Sequence, residues 1–193
     1  MNANGYRPDL KVILDIVAPN TRVLDLGCGE GELLALLVSS KQVRARGVEI
    51  SEVLVRNAIS KGLSVRQGNI EEGLADYMDN AFDYVVLSQT IAYLNRPETA
   101  FKEMLRVGKS AIVSFDNAGY WRSRWQMASG KGFGQPINSG EPRERAITLP
   151  QFEAFASGAG ASVVQRVLVR NQRHVVYLPR LMAETAVYVL RKC

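Results

Sequence analysis

RVLDLGCGEGELLALL, residues 22–37, decides how the chain is read. An apolar run enclosing one acid, Asp25, ends in Gly27, Gly29 and Gly31, and an apolar-periodic segment follows at once. The run is a short buried strand, residues 22–26. Leu33, Leu34, Leu36 and Leu37 give residues 32–39 a broad apolar helical surface. Glycines at every second position permit unusual dihedrals and close backbone approach. The helix behind them presents free N–H groups that favour a polar or anionic group.

The alternation continues outward on both sides. Leu10, Ile13, Leu14 and Val17 recur at helical spacing, so residues 8–17 form an amphipathic helix that Pro19-Asn20 ends. Downstream, residues 43–50 are a second strand. Ser51 caps the next helix, which runs through Lys61 with Gly62 at its end. Residues 64–67 are a third strand, and residues 68–73 read as a loop leading into a short helix. Residues 82–87 form an unbroken apolar strand, residues 97–107 a helix with Pro97 in its first turn, and residues 110–115 another buried strand. Strand then helix, four times over, predicts a parallel sheet covered on both faces. The regularity breaks at Asp116. Residues 117–147 hold five glycines and two prolines, and so long an irregular stretch reads as a functional or partly disordered loop. A helix starts at residues 148–151 and continues through 152–157. Residues 162–169 and 185–190 are strand-like and spaced to form a closing antiparallel pair at the sheet edge.

Composition excludes several classes. The chain has 193 residues, 47% hydrophobic and 22% charged, ordinary values for a soluble globular protein with a real core. It has no apolar run of about 18 residues, and its first residues lack the basic-then-apolar layout of a signal peptide. Cys28 and Cys193 lie in no metal-ligand spacing and are not expected to pair, which reads as a reduced, cytoplasmic protein. The sole histidine, His174, excludes a multi-histidine metal site and most hydrolase triads. A net charge of +5 is weak support for an acidic partner, because no lysine-rich tail or aromatic-basic signature accompanies it.

In an open parallel sheet, ligands bind at the carboxyl ends of the strands, where strand order reverses. The third glycine stands two residues after the second, whereas the dinucleotide fingerprint needs three. No Lys-Ser/Thr follows, so this is not a phosphate-binding P-loop. Asp25 adds negative charge beside the turn, which argues against a diphosphate and suits a cationic group such as an amino acid's ammonium. Glu49 ends the second strand, 18 residues after Gly31, where a carboxylate can accept hydrogen bonds from both hydroxyls of a ribose. Asn69 and Ile70 end the third strand. An amide there can bond a purine edge, and an isoleucine can pack on its face. These features imply a nucleoside with an amino-acid tail, S-adenosylmethionine.

The pieces Val23 to Gly31, Gly47-Val48-Glu49-Ile50, Gly68-Asn69-Ile70 and Phe82 to Val86 resemble the class I S-adenosylmethionine-dependent methyltransferases. The resemblance implies an α/β, Rossmann-like fold over residues 1–193 as a single domain. Its mostly parallel seven-stranded sheet would carry helices on both faces and an antiparallel edge strand, with an irregular lid or partner loop at about 117–147. It also implies that Asp25 and the turn of Gly27, Cys28, Gly29 and Gly31 hold the methionine part. Glu49 would bind the ribose, Ile50 would pack on the adenine, and Asn69, where many members carry Asp, would bond it. Ser88 and Gln89 would line the site near the sulfonium. More particular wording, including Gln67 to Asp76, Leu87 to Thr90, Glu103 to Gly108, Ala111 to Phe115 and Asn117 to Arg124, resembles the methionine-biosynthesis protein MetW family. That family is associated with the homoserine O-acyltransferase step of methionine synthesis. Residues 135–145 depart from its pattern of an aromatic, proline and histidine-bearing stretch.

Methyl transfer mainly needs proximity and orientation, and Tyr93, Asp116 and His174 are the candidates for a general base. Trp121 and Trp125 stand four apart beside Arg122 and Arg124. They read as lid packing or, on a helix, as an anchor for a partner surface. Arg143, Arg145, Arg166, Arg170 and Arg173 read as a solvated surface, or as a face for an acidic partner protein. The leading reading is a cofactor-binding partner of a homoserine O-acyltransferase. The alternatives are an active small-molecule methyltransferase and, last, an RNA methyltransferase, which lacks an aromatic platform here.

Overall fold

Eight strands join in one sheet in the computed structural model of the chain, which describes residues 7–130 and 145–193. α1 (Pro8–Ile16) leads into β1 (Arg22–Leu26), α2 (Glu32–Lys41), β2 (Arg44–Glu49), α3 (Glu52–Ser60) and β3 (Val65–Gln67). Then come β4 (Phe82–Ser88), α4 (Pro97–Val107), β5 (Gly108–Asp116), α5 (Trp121–Ala128) and α6 (Leu149–Gly158). β6 (Ala161–Arg170), β7 (Arg173–His174), α7 (Pro179–Met182) and β8 (Thr185–Lys192) complete the order. The strands lie as β3-β2-β1-β4-β5-β8-β6-β7, and β1 to β5 pair in parallel. From β1 the chain builds outward through β2 and β3, then returns to the other side of β1 with β4. Strand order reverses at β1 and β4, and a crevice opens at their carboxyl ends.

The central strands are nearly continuous apolar runs because both faces of the sheet are covered. Val23, Val86, Ile112 and Val187 pack with Leu10 and Ile13 of α1 and Leu33 and Leu37 of α2. Their neighbours in sequence, Leu24, Val85, Val113 and Tyr188, turn to the other face and pack with Phe101 of α4 and Phe152 of α6. Fully burying one such side chain contributes about 1.5–3 kcal/mol. Among the described residues no helix is long and apolar enough to cross a membrane.

Three details differ from the sequence expectation. The sheet has an eighth strand, β7, made by a two-residue turn in which Asn171 and Gln172 both take positive φ, the type I′ hairpin pattern. The expected antiparallel pair does close this side of the sheet, with β8 between β5 and β6. Thr185 to Leu190 are all buried, whereas Ser162 to Arg166 of β6 are exposed, so the more apolar strand takes the inner place. The expected irregular stretch contains α5, because its glycines and prolines spare residues 120–128. Ser51 does hold the N-cap position of α3, but its hydroxyl makes no capping bond. The divergent stretch 135–145 lies outside the described residues, except for Arg145.

Candidate functional site

The turn after β1 is built of left-handed backbone. Gly27 and Gly29 have φ of +71° and +56°, which L side chains rarely adopt. A Cβ on Gly27 would stand 2.7 Å from Thr90 Cγ2, so the turn is packed against the end of β4. A Cβ on Gly29 would meet nothing within 4 Å, so this glycine leaves open room. Gly31 is the N-cap of α2 and offers no side-chain cap to its first amides.

Two adjoining cavities flank the turn. One, of about 470 Å³, is lined by Arg7, Asp25, the turn, Lys61 and Ser88. The other, of about 530 Å³, is lined by Arg7, Gly27, Glu49, Ile50, Asn69, Ile70, Ser88, Gln89, Thr90 and Tyr93. Every residue expected at the site from the sequence lines one or both. A larger cavity, about 580 Å³, lies at the opposite end of the sheet, where β1, β2 and β4 begin, among Arg22, Arg44, Arg46 and Asp79. Ligands of open parallel sheets sit at carboxyl ends, so chemistry and topology favour the smaller pair.

Asp25 is 2% exposed, and its Oδ1 has no hydrogen-bond partner. Burial pushes its carboxyl up to about 7. The Arg7 guanidinium opposes that rise, and the charges of Asp9 and Glu49 add to it. Glu49 is buried with each oxygen in use: Oε2 accepts the Gly29 N–H and Oε1 the Ser51 N–H, both at 2.9 Å. It ties the glycine turn to the end of β2, a task that spacing alone did not reveal. Each oxygen keeps a second lone pair for a hydroxyl donor. Ile50 is 64% exposed at the rim of the second cavity, an apolar face beside a carboxylate.

Other expected residues carry local duties as well. The Asn69 Oδ1 accepts the Glu71 N–H at 3.0 Å, and its Nδ2 donates to Glu72 Oε1 at 3.1 Å, so the amide caps the 3-10 turn Ile70–Glu72. The Cys28 thiol is buried; a Cβ on Gly47 would stand 2.5 Å from its Sγ. Burial and then the charges of Asp25 and Glu49 push that thiol far above its usual range, so it is no nucleophile at neutral pH. Gln89 takes a φ of +57°, and its side chain donates to Asp116 Oδ1 at 3.2 Å.

The structure adds residues that sequence reading missed. Ser88 Oγ and Ser114 Oγ each donate to Asp9 Oδ2 at 2.7 Å, and Arg7 Nη2 donates to Ser88 Oγ at 2.8 Å. Asp9 is buried although it lies in the first turn of α1. Its signal was an acid at i before Val12 and Ile13, on the apolar stripe of the helix. Arg7 had no signal, since its partners lie far along the chain.

The family model of the methionine biosynthesis protein MetW matches residues 7–190. The chain belongs to the MetW family. It is 35% identical over 124 residues to a bifunctional methionine biosynthesis protein MetXA/MetW of Rhodopirellula baltica. The match covers 60% of this chain and 20% of that protein, so the chain spans only a small part of that relative's length. Among solved structures it is similar to a SAM-dependent methyltransferase of Archaeoglobus fulgidus, with a TM-score of 0.73, 16% identity, and coverage of 95% of this chain and 91% of that one. A SAM-dependent methyltransferase of Thermotoga maritima, a possible histamine N-methyltransferase, gives a TM-score of 0.69 at 21% identity, over 96% and 88% of the two chains. The fold of this MetW chain is therefore that of the class I methyltransferases.

The candidate bases separate in space. His174 lies exposed on β7, at the far edge of the sheet. Asp116 Oδ1 accepts from Gln89 and from Thr185 Oγ1 at 2.8 Å. Tyr93 lines the second cavity. Trp121 and Trp125 share α5; Trp121 packs edge-on against Tyr120, and Trp125 is 71% exposed.

Proposed function

We propose that this MetW-family chain binds S-adenosylmethionine and its demethylated product, S-adenosylhomocysteine, in the crevice at β1 and β4. We further propose that it serves methionine synthesis beside a homoserine O-acyltransferase. One observation carries the ligand reading: the buried Asp25 Oδ1 without a donor, beside an open glycine turn. A buried acceptor without a partner costs about 1–3 kcal/mol. A ligand ammonium supplies both the missing donor and the opposite charge. Glu49 offers lone pairs to a ribose diol in the second cavity, and Ile50 and Ile70 give apolar surface for a purine. Asn69 has one remaining N–H and one lone pair for the purine edge, and Ser88 and Gln89 line the wall near the sulfonium. When bound, S-adenosylmethionine supplies an electrophilic methyl group; the chain's residues orient it.

Calorimetric titration with both compounds tests this. We expect wild type to bind each, and Glu49→Ala to weaken binding at least tenfold, about 1.4 kcal/mol. Absence of binding by wild type would refute the reading.

The acyltransferase partner is supported by the relative that joins MetXA and MetW in one chain. α5 offers a contact surface for it: Trp125 and Trp121 are exposed beside Arg122 and Arg124, and residues 117–130 contain no carboxylate. Co-purification with the homoserine O-acyltransferase of the same organism tests the pairing. The second reading, an active small-molecule methyltransferase, is favoured by the place of Tyr93 in the second cavity, and labelled methyl transfer into a metabolite extract tests it.

A further inference from the structure

We propose that Arg7 receives the α-carboxylate of the ligand, so that the crevice selects adenosyl compounds that keep the amino-acid tail over those that have lost it. The inference rests on the adenosyl reading above and assigns its specificity.

Three carboxylates, Asp9, Asp25 and Glu49, are buried around the crevice. They suit an ammonium but repel a carboxylate, and an amino-acid tail carries both. Some cation must therefore face the tail. Only two cations line the cavities, Arg7 and Lys61, among the described residues. Lys61 is committed elsewhere: its Nζ donates to Glu30 Oε2 at 3.0 Å and to the Glu30 carbonyl at 3.2 Å. Arg7 lines both cavities, and it is the leading charge acting against the rise of Asp25.

The guanidinium is also oriented in advance. Its Nε stands 3.5 Å from Asp9 Oδ1, and its Nη2 donates to Ser88 Oγ. Asp9 is itself anchored by the hydroxyls of Ser88 and Ser114, on two adjacent strands. One edge of the guanidinium is thus tethered to the sheet. Both Nη1 hydrogens and one on Nη2 have no partner among the described residues. That is the end of the fork that can take a carboxylate bidentately. The side chain is 47% exposed, so solvent moderates the gain. Placing the tail's ammonium at Asp25 and its carboxylate at Arg7 satisfies both charges of the zwitterion.

The test uses two ligands that share the adenosine and the thioether. S-adenosylhomocysteine carries the amino-acid tail and 5′-methylthioadenosine does not. Both are titrated calorimetrically into wild type, Arg7→Ala and Arg7→Lys, with thermal unfolding measured on each. Arg7→Ala is expected to weaken S-adenosylhomocysteine at least tenfold and 5′-methylthioadenosine less than twofold. Arg7→Lys, which keeps the charge and loses the fork, falls between. An equal loss for both ligands would assign Arg7 a structural role through Ser88 and Asp9 and overturn the inference, as would no loss for either. If wild type binds neither ligand, the adenosyl reading itself fails, an outcome distinct from the other two.

Discussion

Replacing Asp25 by Asn should remove a pH-dependent weakness from the unliganded protein. Burial keeps the folded carboxyl protonated up to about pH 7, whereas the unfolded chain releases that proton near 3.8. Between these values the folded state binds more protons than the unfolded state. Stability therefore falls as pH rises through the window, and it stays lowered above it. The full shift from 3.8 to about 7 corresponds to about 4 kcal/mol at 1.36 kcal/mol per pH unit. Between pH 5 and 8 the part that appears is about 2–3 kcal/mol. Well below pH 3.8 it vanishes, because the carboxyl is then protonated in both states. Asp25→Asn has no proton to release, so its stability should lack this slope. Its amide introduces N–H donors that also need partners, a cost of about 1–3 kcal/mol. The slope, rather than the stability at one pH, is therefore the diagnostic. Urea unfolding of both proteins at pH 5, 6, 7 and 8, without ligand, measures it. Parallel pH profiles for wild type and Asp25→Asn would show that Asp25 is ionised and satisfied in the folded state, and the reasoning here would fail.

Further outcomes follow from the same geometry. S-adenosylhomocysteine should bind wild type more tightly as pH rises from 5 to 7, by about 50-fold, because the ligand ammonium needs the ionised Asp25; flat affinity by calorimetry would contradict it. Gly29→Ala should lose about 1 kcal/mol from its left-handed backbone. Gly27→Ala should lose more, since its Cβ also meets Thr90, and equal losses in thermal unfolding would refute that difference. Trp125→Ala should leave thermal stability unchanged because the ring is exposed, yet weaken co-purification with the acyltransferase; retained binding would remove α5 from the interface.

What was legible in the sequence was local. The strand, glycine turn and helix at residues 22–37 are contiguous, so their chemistry could be read directly. Asp25 was visible as an acid inside an apolar strand and Glu49 as the acid that ends the next one, and parallel pairing sets Asp25 beside Gly47 on the strand that carries Glu49. What escaped was long-range. Arg7, Asp9, Ser88 and Ser114 meet only when α1 docks across β4 and β5, over separations of 79 to 105 residues between Asp9 and the two serines. The inner place of β8 depended on comparing two strands rather than reading either alone. α5 was hidden because glycines and prolines beyond Gly130 coloured a window that also held a short helix former, Trp121 to Ala128.

Asp25 and Glu49 also show why two similar carboxylates in one crevice behave differently. Glu49 accepts two backbone N–H groups, so both of its oxygens are partnered and it is part of the scaffold that holds the turn. Asp25, one strand away and deeper, has an oxygen with no donor, so ionising it works against the fold. The first residue can be satisfied without a ligand, and the second cannot. Charge at Asp25 destabilises the empty protein as pH rises, while the same charge strengthens capture of an ammonium. Ligand and fold are thereby coupled through a single oxygen: rising pH weakens the empty state and tightens the bound one. That opposition is what the proposed ammonium site at Asp25 requires, while the two backbone bonds of Glu49 make it a brace of the turn. It also explains why a carboxylate is placed inside a buried strand that apolar residues alone would make more stable.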